Sequence, residues 1–173
     1  MAMDITRLTA RARAGDAEAF GELYDQHAAG MYRYALYILG SQCAAQDAVQ
    51  EAALSAFRSV RSLRDPESFR AWLFRILANQ CKRQLRGNYT AQTVSLEDQF
   101  AELAADDAPL GLALELRQSL AALPGAERDV LLLSILEGYN SNEIGRILGL
   151  PPGTVRSKRS RALARLRKEI QLP

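Results

Sequence analysis

The chain has 173 residues, of which 48% are hydrophobic and 24% charged, a composition ordinary for globular proteins and a length that allows one domain or two small ones. No apolar run approaches the roughly 18 residues a membrane span needs, and the N-terminal residues Met1 to Arg7 lack a basic-then-apolar secretory pattern, so no membrane insertion and a cytoplasmic location are expected. Cys43 and Cys81 form no CxxC or Cys/His cluster and His27 is the only histidine, which leaves no metal site, no cofactor and no convergent nucleophile and base for catalysis.

Apolar residues recur at three- and four-residue spacing and strand signals are almost absent, so the expected fold class is all-α. A first group of helices runs from about residue 6 to residue 87. It is punctuated by Gly15-Asp16, Gly40-Ser41 and the loop 61–68 with its Asp65-Pro66 pair. Asp16 is positioned as an N-cap. Within residues 41–60, Ala45, Val49, Ala52, Ala53, Ala56 and Val60 make a narrow inward face, and Asp47, Gln50, Glu51 and Leu54 share the outward one. An acidic-amide face that also carries a leucine suits a protein partner. The next helix has Phe69, Trp72, Leu73, Ile76 and Leu77 as its buried stripe and Arg70, Arg75, Lys82, Arg83 and Arg86 as its cations.

Residues 88–111 contain Glu97, Asp98, Glu102, Asp106 and Asp107 and no basic residue, and read as an acidic linker, disordered when free. A second group, residues 112–173, opens with the apolar face Leu112, Leu116, Leu120 and Leu123 and is interrupted at Pro124. The net charge of +2 therefore hides two basic helices joined by an acidic tether. Cations concentrated in both groups point to a polyanionic partner.

Residues 137–161 carry the most specific signal. Gly138 can end one helix in a left-handed conformation, and Asn140 stands three residues before Glu143 in a capping-box arrangement. Ile144, Ile147 and Leu148 form one apolar stripe, Gly145 leaves room for close packing, Gly149 supplies a tight turn and Pro152 fits the first position of a following helix. In that last helix Val155, Ala162, Leu163 and Leu166 face inward. Arg156, Ser157, Ser160 and Arg161 lie outward on the half that a helix-turn-helix protein presents to the major groove. Position 159 falls on the inward stripe, where Arg159 must carry its charged head to solvent or to a phosphate. Arg165, Arg167 and Lys168 lie further along and suit phosphates.

These residues carry a family resemblance. Leu123-Pro124, Glu127 to Leu133, Glu137-Gly138 and Pro151 to Ser157 resemble region 4 of sigma factors of the extracytoplasmic-function (ECF) class. Gly15 to Phe20, Leu23-Tyr24, Asp47 to Glu51, Phe69 to Ile76 and Asn79 resemble that family's region 2, in order and spacing. The resemblance implies two small helical domains, region 2 in residues 1–87 and region 4 in residues 112–173. It implies core RNA polymerase as a partner through its β′ clamp and β flap, with Asp47, Gln50, Glu51 and Leu54 as polymerase contacts. It implies promoter DNA as a second partner. The minus-ten element would meet Arg61, Arg64, Ser68, Arg70, Arg75, Asn79, Lys82, Arg83 and Arg86. The minus-thirty-five element would meet Thr154, Arg156, Ser157, Lys158, Arg159, Ser160 and Arg161. The acidic linker would thread the polymerase cleft, and an anti-sigma factor would restrain the protein by covering these surfaces. No covalent chemistry is implied. Two other readings stay open at this point: a stand-alone helix-turn-helix regulator, which would need neither the Asp47/Glu51 helix nor the Trp72 block, and a helical adaptor whose basic helices merely keep it soluble.

Overall fold

A computed structural model describes residues 2–91 and 114–169, with side chains described within 5–87 and at 116 and 118–169. Among the described residues every regular element is helical. The first group comprises α1 (Ala2–Arg13), α2 (Ala17–Leu39), α3 (Gln42–Ser59) and α4 (Phe69–Ala91), with single 3-10 turns at Val60–Ser62 and Pro66–Ser68 between α3 and α4. The second comprises α5 (Leu114–Ala122), α6 (Gly125–Ile135), α7 (Ser141–Leu148) and α8 (Pro152–Glu169).

The boundaries follow local chemistry. The Asp16 carboxylate accepts from the Ala19 amide at 3.1 Å and starts α2, as expected. Ser41 does the same for α3 through Ala44. Asp65 caps the short turn that leads into α4, accepting from the Glu67 amide and the Ser68 hydroxyl. α4 then continues four residues past the boundary expected at residue 87, to Ala91. Residues 92–111 of the acidic linker expected at 88–111 lie outside the described residues, as does Leu112.

α3 lies close against its neighbours because its underside is built from small residues: Ala45, Ala48, Ala52 and Ala56 are fully buried. Ala53, expected with them, is only half-buried. α4 buries Phe69, Leu73 and Leu77 as anticipated, while Trp72 and Ile76 sit half-exposed at the margin. It buries a further residue that the stripe did not include, Phe74.

Phe74 faces the second group. Its ring packs edge-on against Tyr34 of α2, centroids 6.1 Å apart, and against Tyr139, 5.5 Å apart, in the segment between α6 and α7. The two groups therefore share one continuous buried cluster rather than standing apart on their tether. Full burial of a large apolar side chain stabilises by about 1.5–3 kcal/mol relative to exposure, so a junction built on Tyr34, Phe74 and Tyr139 is a substantial contact.

Candidate nucleic-acid and polymerase surfaces

The helix-turn-helix is assembled as its residues require. Asn140 accepts from the amides of Asn142 and Glu143, and the Glu143 carboxylate accepts from the Asn140 amide at 2.8 Å, completing the capping box. Gly149 closes α7 at φ 70, a left-handed conformation that a side chain would strain. Gly145 is needed for space: a Cβ there would stand 2.6 Å from the Leu150 carbonyl oxygen, so the turn can fold back onto α7 only over a glycine. α8 then begins at Pro152 and buries Val155, Ala162 and Leu166.

Of the expected base-side residues, Arg156, Ser157, Ser160 and Arg161 are all exposed, Thr154 and Lys158 are half-buried, and Arg159 is exposed. The Ser157 hydroxyl donates to the Thr154 carbonyl at 3.0 Å. Arg161 is drawn backward: its Nε lies 3.4 Å from the Ser157 carbonyl oxygen and 3.9 Å from Glu127. Arg159, on the inward stripe, keeps its charged head out of the core as expected. Its guanidinium donates to the Ser134 hydroxyl at the end of α6, at 3.3 Å, because the long side chain can follow the helix edge to a polar partner while Val155 and Ala162 fill the core.

The residues expected to meet the minus-ten element divide into two sets. Arg75, Asn79, Arg83 and Arg86 are exposed and recur along one stripe of α4, flanked by half-buried Lys82, while Arg61 and Arg64 are exposed in the preceding loop. Ser68 is half-buried, and its hydroxyl is held by Asp65. That bond and the Glu67 amide hold the Asp65 carboxyl below its ordinary range. Arg70 is turned away from the stripe. Its guanidinium donates to the backbone carbonyl of Glu137, lies 3.4 Å from the Glu137 carboxylate, and stacks 4.3 Å from the centre of the Tyr139 ring. His27 lies beneath, with its ring 6.0 Å from that of Phe69. Burial lowers its pKa, and the nearby Arg70 charge adds to the effect.

On α3 the expected face is fully presented: Asp47, Gln50, Glu51 and Leu54 are all exposed. Phe57, three residues beyond Leu54, extends it. Both apolar residues are 45% exposed, and the Phe57 ring is anchored edge-on against Phe20 at 5.2 Å. The i, i+3 spacing from Leu54 was the signal that could have added Phe57 to the predicted set.

Three adjacent charged residues in α6 are buried, each with its own partner. Glu127 receives Arg165 at 3.2 Å, with Arg161 near. Arg128 donates to the carbonyls of Ala121 and Leu123, which closes the end of α5. Asp129 accepts from the Tyr34 hydroxyl at 2.9 Å, across the junction between the two groups. Burial, the largest influence, pushes the Asp129 carboxyl up, against the Tyr34 hydroxyl and the charges of Lys82 and Arg128.

A pH dependence follows from the Asp129 shift. A carboxyl raised in the folded state takes up a proton on folding. Its contribution to stability is therefore greatest where it is protonated and falls as the pH rises from the ordinary carboxylate range to the raised value. Asp129→Asn keeps an acceptor for Tyr34 and removes the titration. The melting temperature of the substituted chain should gain on that of the native one as the pH rises from the ordinary carboxylate range to the raised value. A gap constant across that window would contradict the assignment.

Two family descriptions match the chain: Sigma-70 region 2 over residues 23–90 and Sigma-70, region 4 over residues 113–166. The ECF RNA polymerase sigma factor SigM of Mycobacterium tuberculosis is 35% identical over 153 residues, covering 88% of this chain and 78% of the relative. SigL of the same species is 32% identical over 165 residues, covering 92% and 93%. The chain belongs to the ECF RNA polymerase sigma factors.

SigW of Bacillus subtilis aligns with this sigma factor over 99% of both chains at 28% identity. Among solved structures, CnrH in complex with the cytosolic domain of CnrY superposes with a TM-score of 0.75 at 26% identity, covering 97% of each chain. RpoE of Bartonella quintana, solved with the anti-sigma factor NepR, shares the fold at a TM-score of 0.76 and 22% identity, covering 90% of this chain and 99% of that one. The region 2 match takes in α3, the loop 61–68 and nearly all of α4, and the region 4 match takes in the DNA-binding helix-turn-helix. As a sigma factor the protein is a transcription initiation factor that directs RNA polymerase to promoters. Among the described residues no helix is long and apolar enough to cross a membrane.

Proposed function

We propose that this sigma factor docks on the β′ clamp of core polymerase through Asp47, Gln50, Glu51, Leu54 and Phe57. The carrying observation is that α3 leaves two large apolar side chains 45% exposed beside an acidic face, above an alanine underside that fixes the helix in place. Large apolar groups rimmed by polar ones are how a docking surface differs from an ordinary solvated face. The stripe Arg75, Asn79, Arg83 and Arg86, together with Arg61, Arg64 and Lys82, would hold the melted minus-ten strand by its phosphates and stacked bases. Arg70 would join them only once it is released from Glu137. The exposed N-terminal half of α8 would read the minus-thirty-five element in the major groove, with the β flap supporting region 4. The protein would act in the cytoplasm, without covalent chemistry of its own. An anti-sigma factor, such as NepR is for RpoE of Bartonella quintana, would restrain it by covering the α3 and α8 faces.

Phosphate contacts dominate such an interface, so affinity for free promoter DNA should be weak and salt-sensitive. Gel filtration with core polymerase tests the docking directly. Co-elution is expected, and its absence at micromolar concentrations would refute the reading.

Arg156 is the residue best placed to read a base, being exposed near the start of α8. Arg156→Ala should weaken polymerase-bound recognition of the cognate upstream element by about 1–3 kcal/mol, with a smaller loss on scrambled sequences. Equal losses on every sequence would make it a phosphate contact instead.

A further inference from the structure

The junction between the two groups contains a socket for one carboxylate. Gly30 and Arg33 of α2 and Arg70 of α4 surround the side chain of Glu137, which is only 7% exposed. One carboxylate oxygen lies 3.3 Å from Arg33 and the other 3.4 Å from Arg70, and Arg70 also reaches the Glu137 carbonyl. Gly30 forms the floor. A Cβ there would stand 2.6 and 2.9 Å from the two carboxylate oxygens, so a side chain at this position on α2 would force the carboxylate to shift. Two cations facing one buried anion repel each other once that anion leaves. The bond from Tyr34 to Asp129 and the stacking of Arg70 on Tyr139 close the same seam.

We propose that Gly30, Arg33 and Arg70 form a carboxylate socket in which Glu137 latches the sigma factor shut, withdrawing Arg70 from nucleic acid until the two groups separate. The consequence for Arg70 rests on the role proposed for it at the minus-ten element; the latch itself does not. In the latched form Arg70 cannot serve a phosphate and Glu137 at once. The Asp65 carboxyl, lowered mainly by the Ser68 hydroxyl and the Glu67 amide, also feels the charge of Arg146 of α7. Promoter DNA and Glu137 thus compete for one guanidinium, and free protein is kept from binding DNA prematurely.

Two substitutions open the latch by different means. Glu137→Gln removes the charge. Gly30→Ala removes no charge and favours the α2 helix intrinsically, but its methyl group evicts the carboxylate from between the arginines. Cys81 reports the result in the full-length chain. It is buried in α4, with its thiol pushed up to about 12 by burial and then by Asp129 of region 4, whereas Cys43 is exposed and serves as the internal reference. Both variants should retain their helical circular dichroism, alkylate Cys81 about tenfold faster or more relative to Cys43, and show a larger radius of gyration by X-ray scattering. Both should also bind a labelled single-stranded thymine-rich oligonucleotide more tightly, and adding Arg70→Ala should cancel that gain. If Cys81 labelling and the radius of gyration are unchanged in both variants, the latch is overturned. Faster labelling and expansion without tighter DNA binding would establish the latch and count instead against Arg70 as a minus-ten contact.

Discussion

Phe74→Ala is expected to lower folding stability by about 3–5 kcal/mol, the usual cost of emptying a buried aromatic site that cannot fully collapse. The ring is 1% exposed and meets Tyr34 on one side and Tyr139 on the other, so the cavity opens at the junction of the two groups rather than within either. The loss should therefore change the unfolding mechanism as well as its midpoint. The chain has one tryptophan, Trp72, which lies in the first group and reports on it alone, while circular dichroism reports on all the helices. In the native chain the two signals should unfold together in urea. In Phe74→Ala they should separate, because each group then unfolds without the other's support. A loss below about 1 kcal/mol, with the two transitions already separate in the native chain, would mean that the junction contributes little and that the groups are held by their tether alone.

Leu54→Asp is expected to remove most of the affinity for core polymerase while leaving the protein folded. Leu54 is nearly half exposed, so its replacement leaves no cavity in the free chain. At a docking face, however, it is the apolar residue set among Asp47, Gln50 and Glu51 and beside Phe57. Truncating a central apolar anchor of an interface costs about 2 kcal/mol or more, and placing a carboxylate there adds the desolvation of an unpaired charge. Dissociation constants measured with labelled core polymerase should weaken by about thirtyfold or more, with an unchanged melting temperature. Glu51→Lys should weaken binding through charge alone, and the loss should shrink as the salt concentration rises. If both variants bind core as the native chain does, the docking face lies elsewhere on the molecule.

Much of this was legible along the chain because it depends on neighbours in sequence. The Asn140/Glu143 box, the turn at Gly149, Pro152 at the start of α8 and the outward position of Asp47, Gln50, Glu51 and Leu54 each follow from contacts within a turn or two of helix. What escaped depends on partners outside the residue's own helix. Glu127, Arg128 and Asp129 look in sequence like a solvated charged run, yet all three are buried. One meets arginines of α8, one the end of α5, and one a tyrosine 95 residues distant. Phe74 lies off the stripe formed by Phe69, Leu73 and Leu77 because it packs on a second surface, and a single-stripe reading of a helix cannot anticipate that. Arg70 was grouped with the other cations of α4 by charge. Its partners, Glu137 and Tyr139, lie 67 and 69 positions further on and sort it from the exposed stripe.

Arg159 shows the same limit at smaller scale. Helical periodicity places its Cα near the inward side, but the length of the side chain decides where the charge goes, and the Ser134 hydroxyl decides which way it turns. The family to which the chain belongs was recoverable because its motifs are local. The internal packing of region 2 on region 4 was not.

Run-off transcription on a linear template carrying both a minus-thirty-five and a minus-ten element is the most direct measurement. Core polymerase supplied with this chain should start at a fixed position and give one defined transcript. That transcript should be lost when Leu54→Asp or a scrambled minus-thirty-five element is substituted. Initiation no different from that of core polymerase alone, on every template drawn from the regulatory regions of the source genome, would contradict the account.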